Sequence, residues 1–200
     1  MHRSAPRPST GSRAPRRDRV EGRPYVLHVG SDLPRKRIDV LLRAFAVLRR
    51  KRPELCLAQR GARPREAQAA LVRELGLEDA IVDLPRLRRD ELAAHYRGAR
   101  AVLLSSDAEG FGLPVIEALA CGAPVACTDI PAFREVGGPV VHRAPAGEPE
   151  ALARAALDAL ATVDDVEVRA ARSAWAARTS WEAHAARIAR AYGELLGRRP

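Results

Sequence analysis

Two carboxylates, Glu109 and Glu117, bracket seven residues that begin Gly110-Phe111-Gly112-Leu113-Pro114. Glycines at such a turn let backbone amides come close to a ligand. Pro114 suits the first turn of a helix, because its missing N–H has no intrahelical partner there in any case. The helix it opens would present unbonded N–H groups, which suit a phosphate. Glu117 stands one turn into that helix, where a carboxylate can accept two hydrogen bonds from a vicinal diol such as a ribose. Glu109, before the turn, can do the same for a sugar hydroxyl. Each glutamate alone also fits a plainer role: Glu117 as a complement to the helix dipole, at about 0.3–1 kcal/mol, and Glu109 as a solvated loop charge. Together around one turn they point to a ligand with both phosphate and hydroxyl groups.

The opposite charge lies in Pro34-Arg35-Lys36-Arg37. Lys36 and Lys51 are the only lysines among 34 basic residues. An ammonium is a compact charge suited to phosphate oxygens. A solvated basic loop is the bland alternative. Phosphate at one loop and diols at another describe a sugar nucleotide.

Both stretches sit where strands end. From Tyr25 onward, short apolar runs alternate with amphipathic segments. YVLHVG, LCLAQ, AIVDL, AVLLSS, PVACT and PVVH read as strands. IDVLLRAFAVLRR reads as a helix with Leu41, Ala44, Phe45 and Leu48 on one face. PREAQAALVRELG, capped by Gly76, RDELAAHYRGA, PVIEALACG, EPEALARAALDALA and a long stretch from about 167 to 196 read as further helices. Near-continuous apolar strands alternating with helices predict an α/β fold: a doubly wound parallel sheet of about six strands, Rossmann-like, with carboxyl-terminal helices. Ligands of such sheets bind beyond the carboxyl ends of the strands. That rule selects the loops 30–37, 59–64 and 105–114. No G-x-G-x-x-G follows the first strand: Gly30 leads into SDLPRKR, and position 115, after Gly110 and Gly112, is Val. A nicotinamide-type dehydrogenase is therefore disfavoured.

Composition bounds the rest. Two hundred residues suffice for one domain with a real core. Residues 1–23 carry seven arginines against Asp18 and Glu21, which is +5 of the total charge of +9. This basic stretch has almost nothing to bury and is expected to be disordered, with the folded domain spanning 24–198. Most of the basicity belongs to that tail, and only eight aromatics exist, so nucleic acid is not the expected partner. The tail could bind an anionic surface weakly, as in peripheral membrane association. No apolar leader or membrane span is present, which places the expected location in the cytoplasm. Cys56, Cys121 and Cys127 lack metal-ligand spacing and read as buried thiols. His28 shares the face of Gly30 and reads as a core or cleft-wall residue. His95, His142 and His184 read as ordinary surface or packed residues.

At these residues the chain resembles family 4 (group 1) glycosyltransferases. Glu109-Gly-Phe-Gly-Leu-Pro-Val-Ile-Glu117 is similar to their E-x7-E signature. The resemblance continues in Pro34-Arg-Lys, Asp90-Glu-Leu with Tyr96 and Ala99, Pro124-Val, Phe133-Arg-Glu-Val-Gly137 and Ser180-Trp-Glu182. It implies half of a GT-B architecture, the carboxyl-terminal domain that binds a nucleotide-diphosphate sugar. It implies retaining hexosyl transfer with no metal. Arg35 and Lys36 would grip the diphosphate and Glu109 would orient the donor sugar. Amides near Phe111, Gly112 and Leu113, with Gly30, would approach sugar and phosphate. Glu117 would bind the ribose, and Glu135 would lie near the donor loop. Ser31 stands where many relatives carry an arginine. By the same resemblance the amino-terminal acceptor-binding domain is missing. The acceptor is then unknown, the helix from Trp181 onward leaves apolar surface exposed, and a separate acceptor-binding chain becomes a partner. The alternative is a non-catalytic nucleotide-sugar binding subunit or fragment that needs such a chain.

Overall fold

Six short strands, most of them rich in aliphatic residues, form one parallel sheet in the computed structural model, which describes residues 20, 22–61 and 66–197. They are β1 (Tyr25–Val29), β2 (Cys56–Arg60), β3 (Ile81–Leu84), β4 (Ala101–Leu104), β5 (Val125–Thr128) and β6 (His142–Ala144). Their order across the sheet is β3-β2-β1-β4-β5-β6, and every pair is parallel. This is the doubly wound order predicted from the sequence. Its switch point, where successive connections diverge to opposite sides, lies between β1 and β4.

Helices cover both faces, so the strands can be apolar throughout. One face is built by α1 (Ile38–Lys51), α2 (Glu66–Glu74) and the alanine-rich α6 (Pro149–Ala161). The expected face of α1 is buried, with Leu41, Ala44, Phe45 and Leu48 almost wholly removed from water. The other face is built by α3 (Arg89–Gly98), α4 (Leu113–Ala120), α5 (Pro131–Gly137) and α7 (Val166–Ala177). A last helix, α8 (Trp181–Leu195), follows a turn and buries no residue of its own. Asp165 and Ser180 cap α7 and α8, each accepting a hydrogen bond from the backbone N–H three residues on.

Some boundaries differ from the expected ones. The sixth strand begins at His142, because Gly138–Val140 forms a 3-10 turn around Pro139, which offers no ladder N–H. The helix α5 has seven residues, too few for apolar periodicity to show in sequence. Val20, expected in a solvated tail, is buried against the second face, and its backbone pairs with that of Arg23. Residues 1–19 and 21 of that tail lie outside the described ones. Cys56 and Cys127 are buried as expected, whereas Cys121 is only half-buried. Burial pushes the Cys127 thiol up to about 12, so it stays protonated and inert.

Candidate functional site

The loops after β1 and β4 meet because those strands are neighbours. After β1 the chain makes a 3-10 turn, Pro34–Lys36, and enters α1 through Arg37. Arg37 has φ 45°, the one non-glycine left-handed residue among those described. Such a conformation costs on the order of 1 kcal/mol or more. Several contacts hold it. The Ser105 hydroxyl donates to the carbonyls of Lys36 and Arg37 at 2.8 and 2.9 Å. The Asp107 amide donates to the Arg35 carbonyl. The Arg37 guanidinium pairs with both Asp39 and Asp107, which raises its pKa further.

That turn aims Lys36 inward. Its Nζ donates to Glu109 Oε1 at 2.5 Å, and the two side chains are only 11% and 7% exposed. Ser106 Oγ donates to the same Oε1 at 2.8 Å. The other oxygen, Oε2, has no partner among the described residues and is not wholly buried. Arg35 is exposed, and its side chain makes no hydrogen bond or ion pair among the described residues. Beneath them lies His28. Its Nδ1–H donates to the Leu103 carbonyl at 2.9 Å, which fixes the tautomer and turns the Nε2 lone pair toward Gly30. A Cβ on Gly30 would stand 2.8 Å from Nε2, so glycine is required to seat this ring. Burial lowers the His28 pKa to about 4, and the ring is neutral. It belongs to the core, as its position in the strand predicts.

The turn after Glu109 differs in detail from the expected anion site. Gly112 has φ 90° and caps α4 without any side-chain hydrogen bond. Pro114 has no amide proton, and the Val115 and Ile116 amides are both returned to the Gly112 carbonyl. Only the Leu113 amide therefore stands at the open end of the helix. Glu117, one turn in, accepts a hydrogen bond from the buried Tyr96 hydroxyl of α3 at 2.9 Å. Burial and the carboxylate together raise the Tyr96 pKa, so it remains a donor. Phe111 and Leu113 are exposed at the mouth of an apolar groove of about 650 Å³ between α4, α7 and α8. Glu135, on α5, is exposed and lines a smaller pocket of about 140 Å³ with Phe111 and Arg178. It is not joined to the Lys36–Glu109 cluster.

The structure therefore brings Lys36 and Glu109 into contact near His28, with Arg35 on the same turn as Lys36. It ties Glu117 to α3 and leaves Glu135 at the far wall of Phe111. Sequence reasoning missed the roles of Ser105, Ser106, Arg37 and Tyr96. Serines at a strand end carry no signal of their own, and Tyr96 stands 21 positions from the carboxylate it holds.

Comparison with known proteins gives the family and the fold. The profile described as Glycosyl transferases group 1 matches residues 13–191. The chain belongs to this family. It is 36% identical over 193 residues to the D-inositol 3-phosphate glycosyltransferase of Thermobispora bispora, covering 86% of this chain and 44% of that protein. It is 32% identical over 163 residues to the O-antigen chain mannosyltransferase B of Escherichia coli, covering 79% and 42%. Among solved structures, the sucrose-phosphate synthase of Thermosynechococcus elongatus superposes with a TM-score of 0.74 at 28% identity, covering 91% of this chain and 48% of that one. A pneumococcal O-GlcNAc transferase solved with UDP and GlcNAc shares the fold, with a TM-score of 0.66 at 20% identity over 86% of this chain and 36% of that one. This group 1 glycosyltransferase chain thus spans less than half the length of those relatives. No helix among its described residues is long and apolar enough to cross a membrane.

Proposed function

We propose that this chain is the donor-binding half of a retaining, GT-B-type hexosyltransferase that holds a nucleotide-diphosphate sugar at the β1–β4 switch point. The contact between Lys36 and Glu109 carries the reading: a cation for phosphate and a carboxylate for hydroxyls share one nearly buried site. The reacting bond joins the sugar's anomeric carbon to the diphosphate. Lys36 and Arg35 oppose the charge that develops on the diphosphate as that bond breaks, so the charge is met without a metal. Glu109 Oε2 receives sugar hydroxyls, Glu117 receives the ribose diol, and the amide of Leu113, with Gly30, Phe111 and Gly112 nearby, receives phosphate or sugar oxygens. Glu135 reaches the donor only by way of the Phe111 pocket. The enzyme acts in the cytoplasm on an acceptor bound by a second lobe, and the basic amino-terminal sequence supports peripheral contact with a membrane.

Thermal melting against UDP, GDP, ADP and their hexose conjugates tests this. A nucleotide at 100 times its Kd adds about 2.7 kcal/mol, a rise of roughly 5–10 °C for this size. Lys36→Ala and Glu117→Gln should each abolish the rise, and EDTA should leave it intact. Cooperative melting that no nucleotide shifts would sink the reading. A second reading, a nucleotide-sugar binding subunit that transfers only beside another chain, is favoured by α8. That helix exposes Trp181 (84%), which lines the apolar groove, and Leu195 (82%) at its other end. The two readings part on turnover: a binding subunit melts higher with the donor and releases no nucleotide from it.

A further inference from the structure

Lys36 and Glu109 are suited to opposite parts of one ligand, yet they are in contact with each other. The carboxylate lies 2.5 Å from the ammonium, and neither side chain is more than 11% exposed. In so dry a setting a charge acts strongly on its neighbours. A phosphate approaching Lys36 therefore meets an ammonium whose charge Glu109 has already offset. The same carboxylate keeps one oxygen, Oε2, without a partner among the described residues and not wholly buried. Ser106 and Lys36 both converge on Oε1, so that oxygen is satisfied by the protein and the other is left for a ligand.

The two candidate ligands differ at this spot. A sugar nucleotide carries its inner diphosphate as a diester and brings hydroxyl donors to Oε2. A free nucleoside diphosphate ends in a phosphate whose second ionisation lies near 6. It thus carries about one more negative charge at neutral pH and brings no hydroxyl to that oxygen. Glu109 favours the first ligand by hydrogen bonding and opposes the second by repulsion.

Building on the donor-site reading, we propose that the Lys36–Glu109 pair is a selectivity device that lowers affinity for the spent nucleoside diphosphate and retains affinity for its sugar conjugate. Glu109 here sets specificity through the charge it places on Lys36, and not only through contact with the sugar. The consequence runs against the usual expectation for a site residue, since removing Glu109 should tighten one ligand.

Titration calorimetry with the full chain decides it, using the nucleoside diphosphate found by melting and its glucose and mannose conjugates. Glu109→Gln should bind the bare diphosphate about fivefold more tightly, since the offsetting charge is gone. It should bind the conjugate more weakly, so that the ratio of the two affinities falls by about tenfold or more. Glu109→Ala repeats the test with the side chain removed, should the amide fail to fold. In the double variant Lys36→Ala with Glu109→Gln the gain for the bare diphosphate should vanish, because the effect passes through Lys36. If Glu109→Gln leaves the bare diphosphate unchanged or weaker while the wild type binds nucleotides, Glu109 merely positions Lys36 and the selectivity proposal falls alone. If the wild type binds no nucleotide, this proposal and the donor-site reading fall together.

Discussion

At the scale of single residues, His28 shows how a buried ring ties stability to pH. Its Nε2 has no partner, and burial holds its pKa near 4 against an ordinary 6.5. Between pH 6.5 and 4 the unfolded chain takes up a proton that the folded chain refuses, so stability is full above 6.5 and is lost as pH falls. Urea denaturation should therefore find the wild type roughly 2 kcal/mol less stable at pH 5 than at pH 7 on account of this residue. His28→Phe should remove that difference, and an unchanged pH slope in the variant would show that the ring is not the cause. Tyr96 makes a second test. Tyr96→Phe should cost about 1 kcal/mol of stability and weaken nucleotide binding several-fold, because Glu117 loses the hydroxyl that braces it. Glu117 is exposed, so Glu117→Gln should weaken binding and leave the melting temperature unchanged without ligand.

At the scale of elements, the turn between β4 and α4 separates two glycines that look alike in sequence. A Cβ on Gly110 would meet nothing within 4 Å. A Cβ on Gly112, at φ 90°, would lie 3.1 Å from Val136 and 3.2 Å from Phe133. Gly112→Ala should thus cost about 1–2 kcal/mol and displace the Leu113 amide, while Gly110→Ala should be nearly neutral. Comparing their melting curves and nucleotide affinities checks this; equal effects would mean that the turn is not held against α5. The 3-10 turn before α1 is similar in kind. Ser105, at the end of β4, holds the carbonyls of a turn that follows β1, so one element supplies the strain and its neighbour restrains it.

At the scale of the whole molecule, the sheet carries the stability and α8 adds little. None of its residues is buried, so truncation after Ser180 should lower the melting temperature by less than about 4 °C, equivalent to roughly 1 kcal/mol. The truncated chain should still show the nucleotide-dependent rise, since Lys36, Glu109 and Glu117 all precede it. A large loss of stability would mean that α8 is docked firmly in the groove beside α4 and α7. Trp181 should emit as a solvated indole in the full chain, and a blue shift on adding a second chain would report that this face is covered.

The sequence by itself determined the alternation of apolar strands and amphipathic helices, and so the sheet, its two covered faces and the edge at which the strands end. It also determined that the acidic pair and the basic turn lie at that edge, because strand-end loops are local and their residue types are explicit. Other features depended on which strands are neighbours. Lys36 and Glu109 are 73 positions apart, and only the placement of β1 beside β4 presses them together. The pairing of Tyr96 with Glu117, the restraint of Arg37 by Ser105 and the orphaned nitrogen of His28 arise the same way, from contacts across elements that leave no period in the chain. Residue types told which chemistry was present. The order of the strands decided that the cation and the carboxylate, each suited to part of one ligand, would meet and hold each other.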